Sequence, residues 1–187
     1  MRRILGLAGP PGAGKTTYAV AWAREIGAAY LPMDGFHLAD VALDALGLRD
    51  RKGAPETFDA AGYAALLRRL REGPADTVWA PAFERDLEQP LAGAIGIGPE
   101  ADVVVTEGNY LLLDTPSWRA VRDALDECAY LDVDDAVRHE RLVARHVAFG
   151  KTPADAEAWV EAVDEPNAAL VVASRPRADR VVRAGTT

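Results

Sequence analysis

Gly9-Pro10-Pro11-Gly12-Ala13-Gly14-Lys15-Thr16 fits G-x-x-x-x-G-K-[ST] at every fixed position, and these residue types specify a cradle for phosphate. Several backbone N–H groups must converge on one anion, and side chains at Gly9, Gly12 or Gly14 would obstruct the turn or the approach. A helix following the loop adds about half an elementary positive charge at its N-terminus. Lys15 can then reach the β- and γ-phosphates of a nucleotide, and the Thr16 hydroxyl can coordinate the Mg²⁺ that accompanies them. Residues 9–17, with Pro10, Pro11, Ala13 and Thr17 among them, are the candidate ATP site. The alternative is a glycine-rich turn with an incidental lysine. The setting argues against it: the apolar run 4–8 precedes the loop, and Tyr18, Ala21, Trp22 and Glu25 recur behind it at helical spacing.

Two acidic positions complete the chemistry of phosphoryl transfer. Asp34, in Met33-Asp34-Gly35-Phe36-His37, follows a second apolar run. In a parallel α/β sheet it would project into the crevice beyond the strand ends, where it could orient an acceptor hydroxyl and take its proton. A turn aspartate capping the next helix is the competing reading, and His37 could simply pack or face solvent. Glu107 ends the run Val103-Val104-Val105-Thr106. A strand buried on both faces and ending in an acid would bring a carboxylate to the Mg²⁺ opposite Thr16.

Positive charge falls in two places. Arg51-Lys52-Gly53 precedes Pro55-Glu56-Thr57-Phe58-Asp59, and Arg138, Arg141 and Arg145 lie at i, i+3 and i+7 on one helix face, with His146 and Lys151 beyond. Arg141 and Arg145, on a lid over about 141–153, would neutralise charge developing on the transferred group and exclude water. A solvated face with Asp134 paired to Arg138 is the alternative. Arg51 and Lys52 would help to hold the acceptor.

The elements that must position these groups alternate. Candidate strands at 4–8, 29–33, 103–106, 129–133 and 180–182 are separated by helical patterns at 17–27, 60–72, 117–126, 135–148 and 153–171, the βαβ grammar of a parallel sheet covered on both faces. Tyr63, Leu66, Leu67 and Leu70 form one stripe that Gly73-Pro74 stops. In the last long helix Thr152 and Asp155 make an N-terminal capping box, Trp159, Val163 and Leu170 mark the buried face, and Pro166 predicts a kink. Residues 81–98 have little periodicity and read as an excursion from the sheet.

At 187 residues, with 49% apolar and 27% charged residues, the chain fits one soluble α/β domain. A net charge of −8 argues against an extended nucleic-acid surface but allows a local phosphate pocket. The single cysteine, Cys128, sits in an apolar stretch and reads as an inert buried thiol, which suits a reducing compartment. Met1-Arg2-Arg3 superficially opens like a signal peptide, but the apolar residues run straight into the phosphate loop and no stretch has membrane-spanning length. The reading is cytoplasmic, without nucleic-acid or membrane partners. A homodimer is compatible with it, since no exposed apolar stripe can be separated from core by sequence.

The phosphate loop, MDGFH, RKGAPETFD, the W-x-P-x-F segment at 79–83, EGNYLLLD at 107–114 and RLVARH at 141–146 together resemble the superfamily of phosphoribulokinase, uridine kinase and bacterial pantothenate kinase. Similarity covers nearly the whole chain, through Ala178-Asp179-Arg180-Val181-Val182, and is greatest to short nucleoside/nucleotide kinase-like proteins, some described as fructose-kinase-like. The resemblance implies a P-loop three-layer α/β/α fold with a central five-stranded, mainly parallel sheet and a small lid over a single domain, 1–187. It also implies ATP-dependent phosphorylation of a small molecule's hydroxyl. Asp34 matches the family's acid after the second strand, Glu107 its strand-end acid, and Arg141 and Arg145 its lid. An acceptor pocket from 34–58 and 79–90 follows, with Phe83 and Arg85 as substrate contacts beside His37, Glu107 and Tyr110. The adenine would rest near Arg175. Trp79, Phe83, Tyr110 and Trp118 could stack on a base or sugar, although aromatic residues at strand ends are commonly core.

Two other classes share the loop. A GTPase would carry N-K-x-D, which is absent, and the two D-x-x-G matches, 44–47 and 59–62, do not end buried strands. An ATPase or nucleotide-binding regulator would share Lys15, Thr16 and Glu107 and differ in what Asp34 faces.

Overall fold

The valine run at 103–105 lies beside the first apolar run, with Ile4 opposite Val104 and Leu5 opposite Val105 in parallel register. The computed structural model describes residues 1–183, so the last four residues of the 1–187 span lie outside the described part. Its strands are β1 (Arg3–Ala8), β2 (Ala29–Pro32), β3 (Val78–Glu84), β4 (Gln89–Ile97), β5 (Val103–Gly108), β6 (Glu127–Asp132) and β7 (Arg180–Arg183). Five form one sheet in the order β2-β5-β1-β6-β7, and every pairing in it is parallel. Their carboxyl ends therefore open on one edge, where the loops after β1, β2 and β5 converge.

The helices are α1 (Lys15–Glu25), α2 (Asp40–Leu46), α3 (Ala60–Glu72), α4 (Pro116–Asp123), α5 (Asp135–Ala148), α6 (Pro153–Trp159) and α7 (Glu165–Ser174). Ala19 and Ala23 of α1 pack with Leu5, Leu7, Val105 and Leu131 on one face of the sheet. On the other face Tyr63, Leu67 and Leu70 of α3 and Trp118 and Val121 of α4 pack against Ile4, Leu31 and Val104. This is the expected three-layer α/β/α sandwich. The predicted stripe of α3 is inward, and Asp59 caps the helix by accepting from the Gly62 N–H at 2.8 Å. One of the two D-x-x-G matches is thus a helix cap, and the other ends α2 at Gly47 in the left-handed region.

Several boundaries differ from the sequence reading. Met33 leaves the strand for a 3₁₀ turn, Met33–Phe36, that carries Asp34. The aperiodic segment is an antiparallel hairpin, β3–β4, with a register shift between Ala80 and Ala82. Its strands are exposed along much of one side, so their residues lack the strict apolar alternation of a core strand. The short α2 was not anticipated.

The last long helix starts at the predicted box, with Thr152 Oγ1 accepting from the Asp155 N–H at 3.2 Å. A π turn, Val160–Asp164, then interrupts it immediately before Pro166. A π turn takes an additional residue, so the phase of the buried face shifts by one. Val160, Ala168 and Val171 are buried, while Leu170, expected inside, is 48% exposed. Among the described residues no helix is long and apolar enough to cross a membrane.

Candidate active site

The phosphate loop leaves β1 and enters α1 through Gly14, whose φ of 86° is left-handed. Gly12 has φ 80°, and a Cβ there would lie 2.7 Å from the Arg138 carbonyl and 2.8 Å from Leu142. The loop is therefore closed from outside by α5, and only glycine fits. Lys15 Nζ donates to the Pro10 carbonyl at 3.0 Å. Burial pushes its pKa down to about 8, with the nearby Arg145 charge adding to the fall and Glu107 and Asp34 opposing it. A buried ammonium without a carboxylate in contact, over a glycine cradle at a helix N-terminus, is a site that an anion would complete.

Glu107 reaches the same edge from β5 and is 4% exposed. Its Oε1 accepts from Thr16 Oγ1 at 3.2 Å and from the Tyr30 hydroxyl at 2.8 Å. Burial raises the carboxyl's pKa and Asp34 adds to the rise, while Lys15 and the two hydrogen bonds oppose it. Oε2 receives no hydrogen bond from a described residue, and Glu107 lines the central cavity. No group of three or more His, Cys, Asp or Glu side chains suited to a metal occurs among the described residues. One hydroxyl and one open carboxylate oxygen nevertheless fit a small hard cation that keeps water and phosphate oxygens as its other ligands, the habit of Mg²⁺.

That cavity has a volume of about 530 Å³ and joins residues far apart in sequence. Pro11, Gly12, Lys15 and Thr16 line one part, and Asp34, His37, Lys52, Phe83, Arg85 and Glu107 line another. Asp34 is held loosely, with Arg85 Nη2 3.5 Å from its Oδ2. His37 Nδ1 donates to the Asp34 carbonyl at 2.8 Å, and its ring lies between those of Phe58 and Phe83 at centroid distances of 4.0 and 4.7 Å, tilted by 42° and 45°. Burial lowers the His37 pKa, so the ring is neutral at pH 7 and its Nε2 is an acceptor. The hairpin reaches this place because Gly35 has no side chain: a Cβ there would stand 2.2 Å from the Pro81 carbonyl.

The arginines divide. Arg145 lines the central cavity, and Arg141 lines a smaller one, of about 230 Å³, with Gly12, Gly14, Lys15 and Thr16. Arg138 turns away. Its guanidinium is buried and bonded to both oxygens of Glu165 at 2.8 and 2.7 Å. The considered Asp134 partner instead caps α5, accepting from the Ala136 and Val137 N–H groups.

Other expected contacts lie elsewhere. Tyr110 is fully buried, donates to the Gly53 carbonyl and packs with Phe58 and Trp118, so it is core. Arg51 points outward and pairs with Glu56. Arg175 pairs with Asp132 at 3.1 Å over the Tyr130 ring, away from both cavities. Gly9, Pro10 and Ala13 are buried within the loop, and Thr17 is exposed on α1. Trp79 is 62% exposed on the hairpin, and Trp118 is core.

Sequence reasoning missed a whole wall. Trp159, Val163, Asp164 and Asn167, from α6, the π turn and α7, line the cavity with His146 and Lys151. His146 Nε2 is 2.8 Å from Asp164 Oδ2, and Lys151 stacks on Trp159 at 4.3 Å. The available signal was Asn167, one amide before the apolar run 168–172. Tyr30 was missed too, since a strand tyrosine carries no mark of its partner.

A parallel β2-β5-β1-β6-β7 sheet, with a phosphate loop after its first strand and strand-end acids beside it, is the fold of the P-loop kinases. The sequence pattern of the phosphoribulokinase/uridine kinase family matches residues 4–186, and the chain belongs to that family. It is 37% identical to the uncharacterized protein YggC of Escherichia coli, over 97% of this chain and 77% of that one. It is 28% identical to a pantothenate kinase of Enterococcus faecalis, over 78% of this chain and 50% of that one. Among solved structures, one called a "putative fructose transport system kinase", from Silicibacter sp. TM1040, superposes with a TM-score of 0.91 at 38% identity, covering 97% of this chain and 89% of that one.

Proposed function

We propose that the protein is a cytoplasmic enzyme that transfers the γ-phosphoryl group of Mg-ATP to a hydroxyl of a small acceptor: a nucleoside, a sugar or a pantothenate-like alcohol. The observation that carries this reading is the single cavity that Lys15, Thr16 and Glu107 share with Asp34. An ATPase needs the first three; the fourth gives the cavity a base at the edge of the phosphate cradle. Family membership supports the same class.

ATP supplies the phosphoryl group, and Mg²⁺, held from Thr16 and the open oxygen of Glu107, neutralises phosphate charge when bound. The chain's own groups do the rest. Backbone N–H groups of residues 9–17 hold the phosphates, and the Lys15 ammonium leaves the Pro10 carbonyl for them. Asp34 accepts the hydrogen of the attacking hydroxyl and takes its proton, while Arg85 moves from Asp34 to the acceptor. His37 presents Nε2 as an acceptor, with the face of Phe83 beside it. Arg141 and Arg145 stabilise charge on the transferred group, and α5 and the turn after it exclude water.

The test is ADP release from Mg-ATP across nucleosides, sugars, pantothenate and related alcohols, with Lys15→Ala as the blank. One compound that raises turnover strongly over the acceptor-free rate supports the reading and names the acceptor class. Slow hydrolysis that no acceptor changes favours the regulatory ATPase.

A further inference from the structure

Tyr30 stands opposite Val105 in the β2–β5 register, and Pro32 stands opposite Glu107. Side chains alternate along a strand, so Tyr30, Val105 and Glu107 share one face of the sheet. Two residues along β5 span about 6.6 Å, which is within reach of a tyrosine lying along the sheet. The phenol therefore ends at the carboxylate and donates to Glu107 Oε1 at 2.8 Å. Thr16 Oγ1 donates to the same oxygen at 3.2 Å. Two donors occupy both acceptor directions of Oε1. Oε2 alone is left toward the cavity, and the carboxylate cannot turn to offer both oxygens without breaking both hydrogen bonds.

This arrangement discriminates between cations. Ca²⁺ takes six to eight oxygens and readily accepts a bidentate carboxylate, whereas Mg²⁺ takes six at shorter distance and keeps its waters. A carboxylate restricted to one oxygen serves the second and handicaps the first. We propose that Tyr30 is a positioning residue that keeps Glu107 a one-oxygen ligand and so sets the preference of this site for Mg²⁺ over Ca²⁺. The inference rests on the reading of Thr16 and Glu107 as the metal side of the nucleotide site. It adds a residue outside the cavity lining and a cation selectivity that the phosphate loop alone does not impose.

Tyr30 also packs against the core cluster that includes Leu5, Leu7, Ala19, Ala23 and Val105. Tyr30→Phe keeps that ring and removes only the hydroxyl. The measurement is Mn²⁺ binding, by electron paramagnetic resonance, to full-length enzyme carrying β,γ-imido-ATP, with Mg²⁺ and Ca²⁺ as competitors. Tyr30→Phe is expected to weaken Mg²⁺ by about tenfold and to leave Ca²⁺ unchanged or tighter, with metal-free nucleotide affinity as in the parent and a melting temperature lower by a few degrees, since the buried carboxylate loses one donor. An unchanged Mg²⁺/Ca²⁺ ratio overturns the proposal. So does a ratio lost only in Tyr30→Leu, which would assign Tyr30 to packing. Glu107→Gln tests the underlying reading separately: if it leaves Mg²⁺ binding unchanged, the metal assignment fails and the proposal falls with it. If it weakens Mg²⁺ while Tyr30→Phe does not, only the role of Tyr30 is lost.

Discussion

Arg138 holds Glu165 through both carboxylate oxygens, at 2.7 and 2.8 Å, while its own backbone carbonyl closes the space over Gly12. One residue thus ties α7 to α5 and presses α5 onto the phosphate loop. The guanidinium is buried, and its Nη1 finds no partner among the described residues, so Glu165 is its main compensation. Glu165→Gln should destabilise the fold by about 2 kcal/mol, less than a fully buried pair because Glu165 is partly exposed. Replacing both partners with leucine should recover much of that loss, because the uncompensated charge is gone. Urea unfolding of the parent and the two variants checks both signs.

Gly12→Ala should act on the loop directly. Alanine at φ 80° costs about 1–2 kcal/mol in a left-handed conformation, and its methyl would overlap the Arg138 carbonyl and Leu142. α5 must then move. Nucleotide affinity should fall more than about tenfold, with a lower melting temperature. Parent-like affinity in a titration would contradict the closed loop described above.

Lys15 predicts a pH dependence with opposite signs for binding and stability. Its ordinary value of 10.5 is lowered to about 8 by burial, so above pH 8 the free enzyme loses the charge that meets phosphate. The ATP association constant should be flat below that pH and then fall, approaching tenfold per unit. Lys15→Met should bind weakly and without that slope. The unfolded chain holds this proton up to pH 10.5, so the term from Lys15 makes stability rise between pH 8 and 10.5. Lys15→Met should also melt higher than the parent at pH 7, since a buried ammonium is removed.

Asp34→Asn should separate transfer from binding. Loss of a general base costs about 10²–10⁴ in rate, and nucleotide affinity should change less than about threefold because Asp34 touches no loop residue directly. Arg85→Ala should raise the acceptor KM more than it lowers kcat, since Arg85 sits 3.5 Å from Asp34 at the cavity wall. Steady-state kinetics with the acceptor found by the panel measure both. An Asp34→Asn enzyme with full turnover would remove Asp34 from the mechanism.

Local chemistry carried most of what was legible in the sequence. Lys15 and Thr16 are fixed by a loop whose glycines and following helix are consecutive in the chain, and the apolar runs around Val104 and Leu5 require a sheet buried on both faces. The α3 stripe and the Thr152 cap are likewise short-range patterns. What tertiary structure decided is which distant side chains meet. Tyr30 and Glu107 are 77 residues apart and bond because β2 lies beside β5 rather than β1, an order no local pattern encodes. Arg138 shared its helical spacing with Arg141 and Arg145, yet it was claimed by Glu165, a partner that α6 and the π turn bring back to it. Tyr110 and Arg51 belonged to motifs that run through the site, but burial took one and an outward turn the other. Sequence spacing specifies periodicity along an element; the direction each side chain takes depends on the neighbours that packing supplies, and those come from far along the chain.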